Sequence, residues 1–382
     1  MSSSTNILCV HGHSEGVSIT GADRSLTTIS TTPPFKEVAA RPDLHGSPVL
    51  SVITILDNYV LSTSMSGQLI LHHAPSGQVI AKCRHHLKYA VQVAATSSDQ
   101  DCIIATAGWD QKVHVYAFSH SSIRLPNPQG VLTRDEPYVE NLLHEPLHTI
   151  TLTSNPESLF FVRHPDNGDL YLVLSRRDST FLYYYRFSHV ADRYMVHEAG
   201  RQNLAPHANA WVGFTPSCLA ISPKDPTLLA VATSHLPHLK VIVVRLLFPA
   251  PTEQRTSPHA PQTQAAQARA ELAVQDKEDT AITLHVTTMA PQTPYSTPQV
   301  VWRPDASGLW VNGDDGLVRG LEVKTGKVVA LLKAHEVGSK VRTLWAGYAA
   351  DHDHAREGKG QELLVSGGFD KKVFVWTAAP SP

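Results

Sequence analysis

The chain has 382 residues, of which 42% are hydrophobic and 17% are charged, and its net charge at neutral pH is −2. This balance lacks the basic field that holds a phosphate backbone, so nucleic-acid binding is not expected. No apolar window reaches the ~18 residues needed to span a bilayer, and no charged leader followed by an apolar run marks a signal peptide. We therefore expect a protein of the cytoplasm and/or nucleus, with neither nucleic acid nor membrane as a partner.

A strand-turn-strand pattern occurs four times, at residues 17–29, 103–116, 311–321 and 363–376. Each copy has an apolar strand, a tight turn that contains Gly or Asp, and a second strand of alternating polarity. A hairpin that recurs along a chain indicates a repeat architecture, in which each unit packs on its neighbours.

The repeats divide the chain into seven units. We place their first strands at about Asn6, Pro48, Ala90, Glu157, Pro216, Pro298 and Lys340. The shortest intervals are close to the ~40–45 residues of one four-stranded propeller blade. The sequence therefore predicts an all-β fold. We expect a single domain over residues 1–382, a seven-bladed β-propeller of four-stranded antiparallel blades.

Two inserts interrupt the even spacing. Residues 119–145 are rich in proline and polar residues, and residues 249–280 are rich in proline, glutamine, threonine and alanine. Within the second insert, residues 265–277 can form a short helix, but its apolar face, with Ala268 and Leu272, is narrow. We expect both inserts on the surface, the second as a loop between the third and fourth strands of the fifth unit.

The four cysteines, Cys9, Cys83, Cys102 and Cys218, are scattered and form no C-x-x-C pair. Their spacing fits no zinc site, and we interpret them as reduced thiols in the core. The chain lacks the G-x-G-x-x-G, Walker A, H-E-x-x-H and kinase motifs of common cofactor and metal sites. We therefore expect no cofactor, no metal and no catalytic activity.

One motif points to an enzyme. Residues 12–16, with Ser14 at the centre, fit the G-x-S-x-G nucleophile elbow of α/β-hydrolases. That elbow needs a helix after the serine and an oxyanion loop from earlier sequence, whereas a strand-turn-strand pattern follows Gly16 and few residues come before. We interpret the motif as a loop of the first unit, and a serine hydrolase that uses Ser14 is the enzymatic alternative.

The densest group of metal-ligating side chains is Asp351-His-Asp-His354. On an extended segment, His352 and His354 would point to one side, as two ligands of a metal do. The residues that follow, Arg356 to Gly360, have the composition of a solvated loop. We interpret the group as an exposed loop between strands, without metal.

The last repeat resembles the WD40-repeat β-propeller family. In that family a His before the first strand, a Ser or Thr on the second, an Asp in the following turn and a Trp on the third form a buried hydrogen-bonded set. The last unit matches with His335, Ser366, Asp370 and Trp376. The third unit matches with His86 or His85, Thr106, Asp110 and Tyr116, where Tyr replaces Trp. The resemblance implies a structural role for these residues.

The resemblance also raises the question of closure. Propellers of this family usually close by pairing a strand from one end of the chain with the last blade. Here only residues 1–5 precede the first strand, and residues 377–382 follow Trp376. Either the last blade has three strands and an exposed edge, or the natural protein has more sequence than this chain.

In such a propeller, the turns between second and third strands line one rim, together with the loops that lead into the first strands. The residues that we expect on this rim are Met65, Tyr89, Trp109, Arg177, Trp211, Lys340 and Phe369. Aromatic, Met and Arg side chains are enriched in binding hot spots. In the alternative interpretation, Trp109 and Phe369 pack sideways on adjacent blades.

These features favour a non-catalytic scaffold or adaptor that binds a protein or peptide segment on the rim. A second hypothesis is a structural subunit of a larger complex, in which the two inserts serve as contact arms. The hydrolase is the third.

Overall fold

A computed structural model describes residues 2–13, 16–123, 142–190, 193–207, 214–249, 263–333, 335–349 and 360–377. These residues form seven antiparallel sheets, six of four strands and one of three, with the strands of each sheet in chain order. The fold is a seven-bladed β-propeller, as predicted, and each sheet is one blade. None of the helices in the described ranges has both the length and the apolar character that crossing a membrane requires.

The strands of the first four blades each follow the preceding one through a tight turn or a loop. Blade 1 contains β1 Ile7–His13, β2 Gly16–Gly21, β3 Leu26–Ile29 and β4 Glu37–Arg41, and blade 2 contains β5 Val49–Ile55, β6 Tyr59–Ser64, β7 Leu69–His73 and β8 Val79–Cys83. Blade 3 contains β9 Ala90–Ser97, β10 Asp101–Gly108, β11 Lys112–Ser119 and β12 His148–Thr151, and blade 4 contains β13 Pro156–Arg163, β14 Leu170–Arg176, β15 Phe181–Val190 and β16 Arg193–Asn203.

The remaining three blades include the fold's long helix and its shortest sheet. Blade 5 contains β17 Pro216–Ile221, β18 Leu228–Thr233, β19 His238–Arg245, the helix α1 Gln264–Ala281 and β20 Ile282–Pro291. Blade 6 contains β21 Val300–Trp302, β22 Gly308–Asn312, β23 Leu317–Glu322 and β24 Val328–Lys333, and blade 7 contains β25 Val341–Tyr348, β26 Glu362–Gly368 and β27 Val373–Thr377. Each predicted first strand starts within two residues of the observed one.

The core consists of apolar layers between neighbouring blades. Side chains alternate between the two faces of a strand, so one strand contributes to two layers. On β10, Ile103 and Ala105 pack against blade 4, whereas Cys102 and Ile104 pack against blade 2. Seven such layers connect the blades, including one between blades 7 and 1 that contains Val365 and Ile19. The ring is therefore closed by apolar contact.

The two inserts occupy the same position in their blades, between the third and fourth strands. The first lies between β11 and β12, and most of it is outside the described residues. The second contains α1, so the expectation of a loop is wrong for this part of the insert. Two contacts at the end of α1 hold it: Glu278 is buried and accepts a hydrogen bond from the Asn203 amide at 2.7 Å, and Ala281 packs in the core between blades 4 and 5.

The last blade has three strands, as the resemblance implied. The chain's own beginning covers only the start of its outer edge. Ser2 forms an antiparallel bridge with Lys372, and the Ser3 amide donates to the Lys371 carbonyl at 2.7 Å. Among the described residues, no strand pairs with β27 on the side opposite β26.

Candidate functional site

The four residues predicted in blade 7 form one hydrogen-bonded set. His335 Nδ1 lies 2.9 Å from Asp370 Oδ1, and His335 Nε2 lies 2.9 Å from Ser366 Oγ. Trp376 Nε1 donates to the same Ser366 oxygen at 3.2 Å. The side chains of His335 and Asp370 are fully buried. Asp370 therefore ties the turn before β27 to the loop before β25.

Blade 3 has a related set that uses both candidate histidines. His86 lies 2.9 Å from Asp110 Oδ1 and 2.9 Å from Thr106 Oγ1. His85 instead lies 3.0 Å from the hydroxyl of Tyr116. Because phenol and indole place their polar atoms differently, the second histidine gives Tyr116 the partner that Trp376 finds in serine. His86 is thus the counterpart of His335.

Other blades solve the same corner with different chemistry, which the sequence analysis missed. In blade 6, Asp315 pairs with Arg319, a buried side chain, at 2.7 Å. In blade 2, His45 lies 2.8 Å from Ser62 Oγ, and serine occupies the aspartate position. The signal available in the sequence was the regular spacing of these positions from the turn.

Burial acts to raise the pKa values of Asp110, Asp315 and Asp370, but the hydrogen bonds from their partners outweigh it, so all three pKa values fall below their usual range. Each carboxylate therefore stays ionised at neutral pH and holds its partner firmly. This arrangement suits a structural clamp. A general base needs a pKa near the operating pH.

Three side chains of blade 3 have the composition of a metal site, since ligand atoms of His86, Asp110 and His114 lie within 4.8 Å of one another. Both ring nitrogens of His86 already have partners, and Asp110 also accepts from the Leu87 amide at 2.9 Å. A metal would have to displace these bonds, so the arrangement favours the hydrogen-bonded set. The predicted Asp351–His354 group lies outside the described residues.

The G-x-S-x-G motif spans the hairpin between β1 and β2. Ser14 itself lies outside the described residues, but Gly16 begins β2, so a strand follows the motif. The nucleophile elbow of hydrolases requires a helix at this point. The described geometry around the motif therefore lacks the turn that activates such a serine.

A recurrent backbone bond positions the predicted rim. The residue before the turn donates its N–H to the carbonyl of the residue that leads into the first strand of the same blade. The bond occurs from Ala22 to Asn6, Met65 to Pro48, Trp109 to Tyr89, Arg177 to Asn155, Ser234 to Thr215 and Phe369 to Lys340. Six blades thus present a side chain at equivalent positions.

Three of the predicted rim residues form one stack. The rings of Tyr89 and Trp109 lie 5.2 Å apart, and the guanidinium of Arg177 lies 5.5 Å from the Trp109 ring. Arg177 also bonds Glu157 at 2.7 Å. Trp109 is half-buried and does pack on the next blade through Arg177, while Tyr89 keeps 41% of its surface exposed. The stack joins blades 3 and 4 and leaves an aromatic face open.

The other predicted rim residues lie apart from this stack. Lys340 donates to Thr293 Oγ1 at 3.0 Å and lies 3.1 Å from Asp314. Phe369, beside it, is 40% exposed, and Met65 is half-buried. No contact joins either of them to the stack among the described residues. Trp211 lies outside these residues.

A cavity of about 760 Å³ lies where the first strands of the blades converge, and Trp109 and Arg177 line it. Six first strands contain a β-bulge at the same position, and the bulged residue of each lines the cavity. These residues, with Gln299 at the equivalent position in blade 6, are Leu8, Leu50, Val91, Glu157, Ser217, Gln299 and Arg342. One half of this ring is apolar and the other half is polar.

Arg342 carries the one positive charge of this ring. Its guanidinium has neither a hydrogen bond nor an ion pair with any part of the chain that the structure describes. Burial lowers its pKa, although Cys9, Glu157 and Cys218 act in the opposite direction. Glu157, by contrast, is bound to Arg177, and burial still raises its pKa. The cavity thus contains an uncompensated cation.

The comparisons with known proteins agree with this architecture. The model of the family described as "UCP007778, beta-propeller domain" matches residues 48–377, which is more than half of the chain. The chain therefore belongs to this family of β-propeller domains. No curated protein matched it.

Proposed function

We propose that this propeller is a non-catalytic scaffold of the WD40 type, which binds a segment of a partner protein at the rim around the central cavity. The observation that carries the proposal is the stack of Tyr89, Trp109 and Arg177 at the mouth of that cavity. Exposed aromatic and arginine side chains beside a concave surface are typical of binding hot spots. The His–Asp sets of blades 3 and 7 support the WD40 type.

The cavity suggests what the segment contains. An unpaired guanidinium attracts a carboxylate, and the bidentate geometry of that pair favours Arg over Lys. The apolar half of the ring, with Leu8, Leu50 and Val91, accommodates an aliphatic side chain. A segment with an acidic residue beside an apolar one therefore complements both halves.

The test is a quantitative affinity purification from the native cell with the wild-type chain and a Trp109→Ala, Phe369→Ala double variant. We expect the double variant to fold with an unchanged melting temperature and to lose the partners that the wild type retains. The matched control is Val38→Ala with Met195→Ala, which removes exposed apolar side chains from the outer strands β4 and β16. Retention of every partner by the rim variant would count against the proposal.

A structural subunit of a larger complex is the second candidate. Helix α1 favours it, because Leu272 and Val274 are more than half exposed on a helix that extends from blade 5. Partners that survive the rim double variant and depend on α1 would favour this function over the first.

A further inference from the structure

The outer edge of blade 7 differs from that of every other blade. In six blades a fourth strand covers the third strand: β4, β8, β12, β16, β20 and β24. In blade 6, the covered strand β23 is buried from Val318 to Leu321. In blade 7, the uncovered β27 is buried only at Val373, and Phe374, Val375 and Trp376 are half-buried. The missing neighbour thus leaves three apolar side chains in partial contact with solvent.

A second cavity lies beside this edge, between blades 6 and 7. It has a volume of about 420 Å³, and Trp310, Leu332, Leu364, Trp376 and Thr377 are among the residues that line it. Trp310 Nε1 is a buried donor that lacks an acceptor in the described ranges. Such orphaned donors are rare in folded proteins and cost roughly 1–3 kcal/mol. The cavity therefore combines apolar walls with an unmet hydrogen bond.

We propose that an extended segment of a partner protein binds along β27 as the fourth strand of blade 7 and fills this cavity with its side chains. β-Strand addition supplies affinity through the backbone and specificity through the pockets that receive alternate side chains. Because β27 has five residues, the segment is about five residues long. It carries apolar side chains on one face and one polar side chain that accepts from Trp310 Nε1.

The direction of the segment follows from two observations. All six existing fourth strands run antiparallel to the third strands that they cover. The bridge between Ser2 and Lys372, on the same edge, is also antiparallel and ends before β27 begins. The edge thus accepts a single extended chain in antiparallel register.

A second copy of the same chain fits this site less well. In an edge-to-edge dimer, Phe374 and Trp376 of the incoming strand would already be packed on the blades of their own copy. They would leave the cavity empty and Trp310 without an acceptor. An isolated segment brings free side chains.

The experiment selects peptides from a displayed library of random decapeptides on the full chain. We expect enriched peptides of alternating polarity that slow amide hydrogen exchange at residues 373–377 of the wild-type protein. Ala330 lines the cavity, so Ala330→Trp should weaken their binding at least tenfold. Ala40→Trp, on the covering strand β4 of blade 1, is the matched control and should leave binding unchanged.

Three results would overturn the inference. These are a selection in which no peptide protects residues 373–377, binding that Ala330→Trp leaves intact, and protection of β27 that rises with protein concentration in the absence of peptide. The last result would assign the edge to a second copy. Peptides that depend on Trp109 and Phe369 but not on Ala330 would support the rim function and contradict the edge site, so the two proposals fail separately.

Discussion

At the scale of single residues, Asp370 shows how a propeller corner can bury a carboxylate. Its oxygens receive hydrogen bonds from His335, from the Glu336 amide at 3.1 Å and from the Lys372 amide at 3.2 Å. A buried carboxylate without such partners costs several kcal/mol. The three donors come from two separate loops, so the ionised side chain stabilises the contact between them.

Replacement of this carboxylate tests its structural role. We expect Asp370→Ala to lower the free energy of unfolding by roughly 2–4 kcal/mol, because it leaves buried donors unpaired. Asp23 is the matched control, since it occupies the same turn position in blade 1 but is exposed and bonds only Ser4 and Ser25 through its side chain. Urea denaturation of both alanine variants gives the comparison, and equal small losses would refute the role assigned to Asp370.

The sequence predicted this site where the residues follow one template and failed where the chemistry changes. His335, Ser366, Asp370 and Trp376 stand at the template positions, and all four join one set. Arg319 performs a comparable task in blade 6 with an ion pair, and no template for a histidine could reveal it. Which of His85 and His86 binds Asp110 also needed coordinates, because adjacent residues project in different directions.

At the scale of elements, blade 2 concentrates uncharged histidines. His45 and His72 are both almost completely buried, and burial lowers their pKa values to about 4 and about 3. Neither pairs with a carboxylate, so protonation would place a positive charge inside the blade. The blade is therefore built for neutral imidazole.

This burial predicts acid sensitivity. The unfolded chain binds protons at these histidines below pH 6.5, whereas the folded chain does so only near pH 3 to 4. Stability is therefore fully present above pH 6.5 and falls between pH 6.5 and 4, by about 2 kcal/mol for each group at pH 5. Chemical denaturation at pH 7 and pH 5 measures the loss, and His72→Phe should reduce it. An equal loss in that variant would contradict the assignment to His72.

The elements themselves were largely predictable, because hairpin strands with glycine turns carry strong local signals. Blade 2 was predicted almost to the residue. Helix α1 was not, since its stability depends on contacts that Glu278 and Ala281 make with blade 4, far away in sequence. The apolar pattern of an isolated segment does not contain such contacts.

At the scale of the whole molecule, the ring of bulged residues joins positions more than 300 residues apart. No local pattern in the sequence marks Leu8 and Arg342 as equivalents, because a bulge depends on the register of a neighbouring strand. The fold and the rim positions could be predicted from repeats, whereas the composition of the central cavity could not. Its polarity is a property of the closed ring.

The equivalence of these positions leads to a prediction about Arg342. Blades 1 and 2 carry leucine at the same bulge, and that side chain fits the ring at both. Arg342→Leu removes an unpaired guanidinium whose burial is unfavourable, so we expect the free energy of unfolding to rise by about 1 kcal/mol or more. Arg24→Leu, which breaks an exposed ion pair with Asp43, should change it by less than about 0.5 kcal/mol.

The direction of the change separates two roles for this residue. A guanidinium that helps to fold the protein would leave it less stable when replaced, and the urea midpoint would then fall. A guanidinium held in the cavity for a ligand destabilises the free protein, so its loss raises the midpoint and weakens capture of acidic partner segments. A lower midpoint for Arg342→Leu would therefore remove the support that the central cavity gives to partner binding.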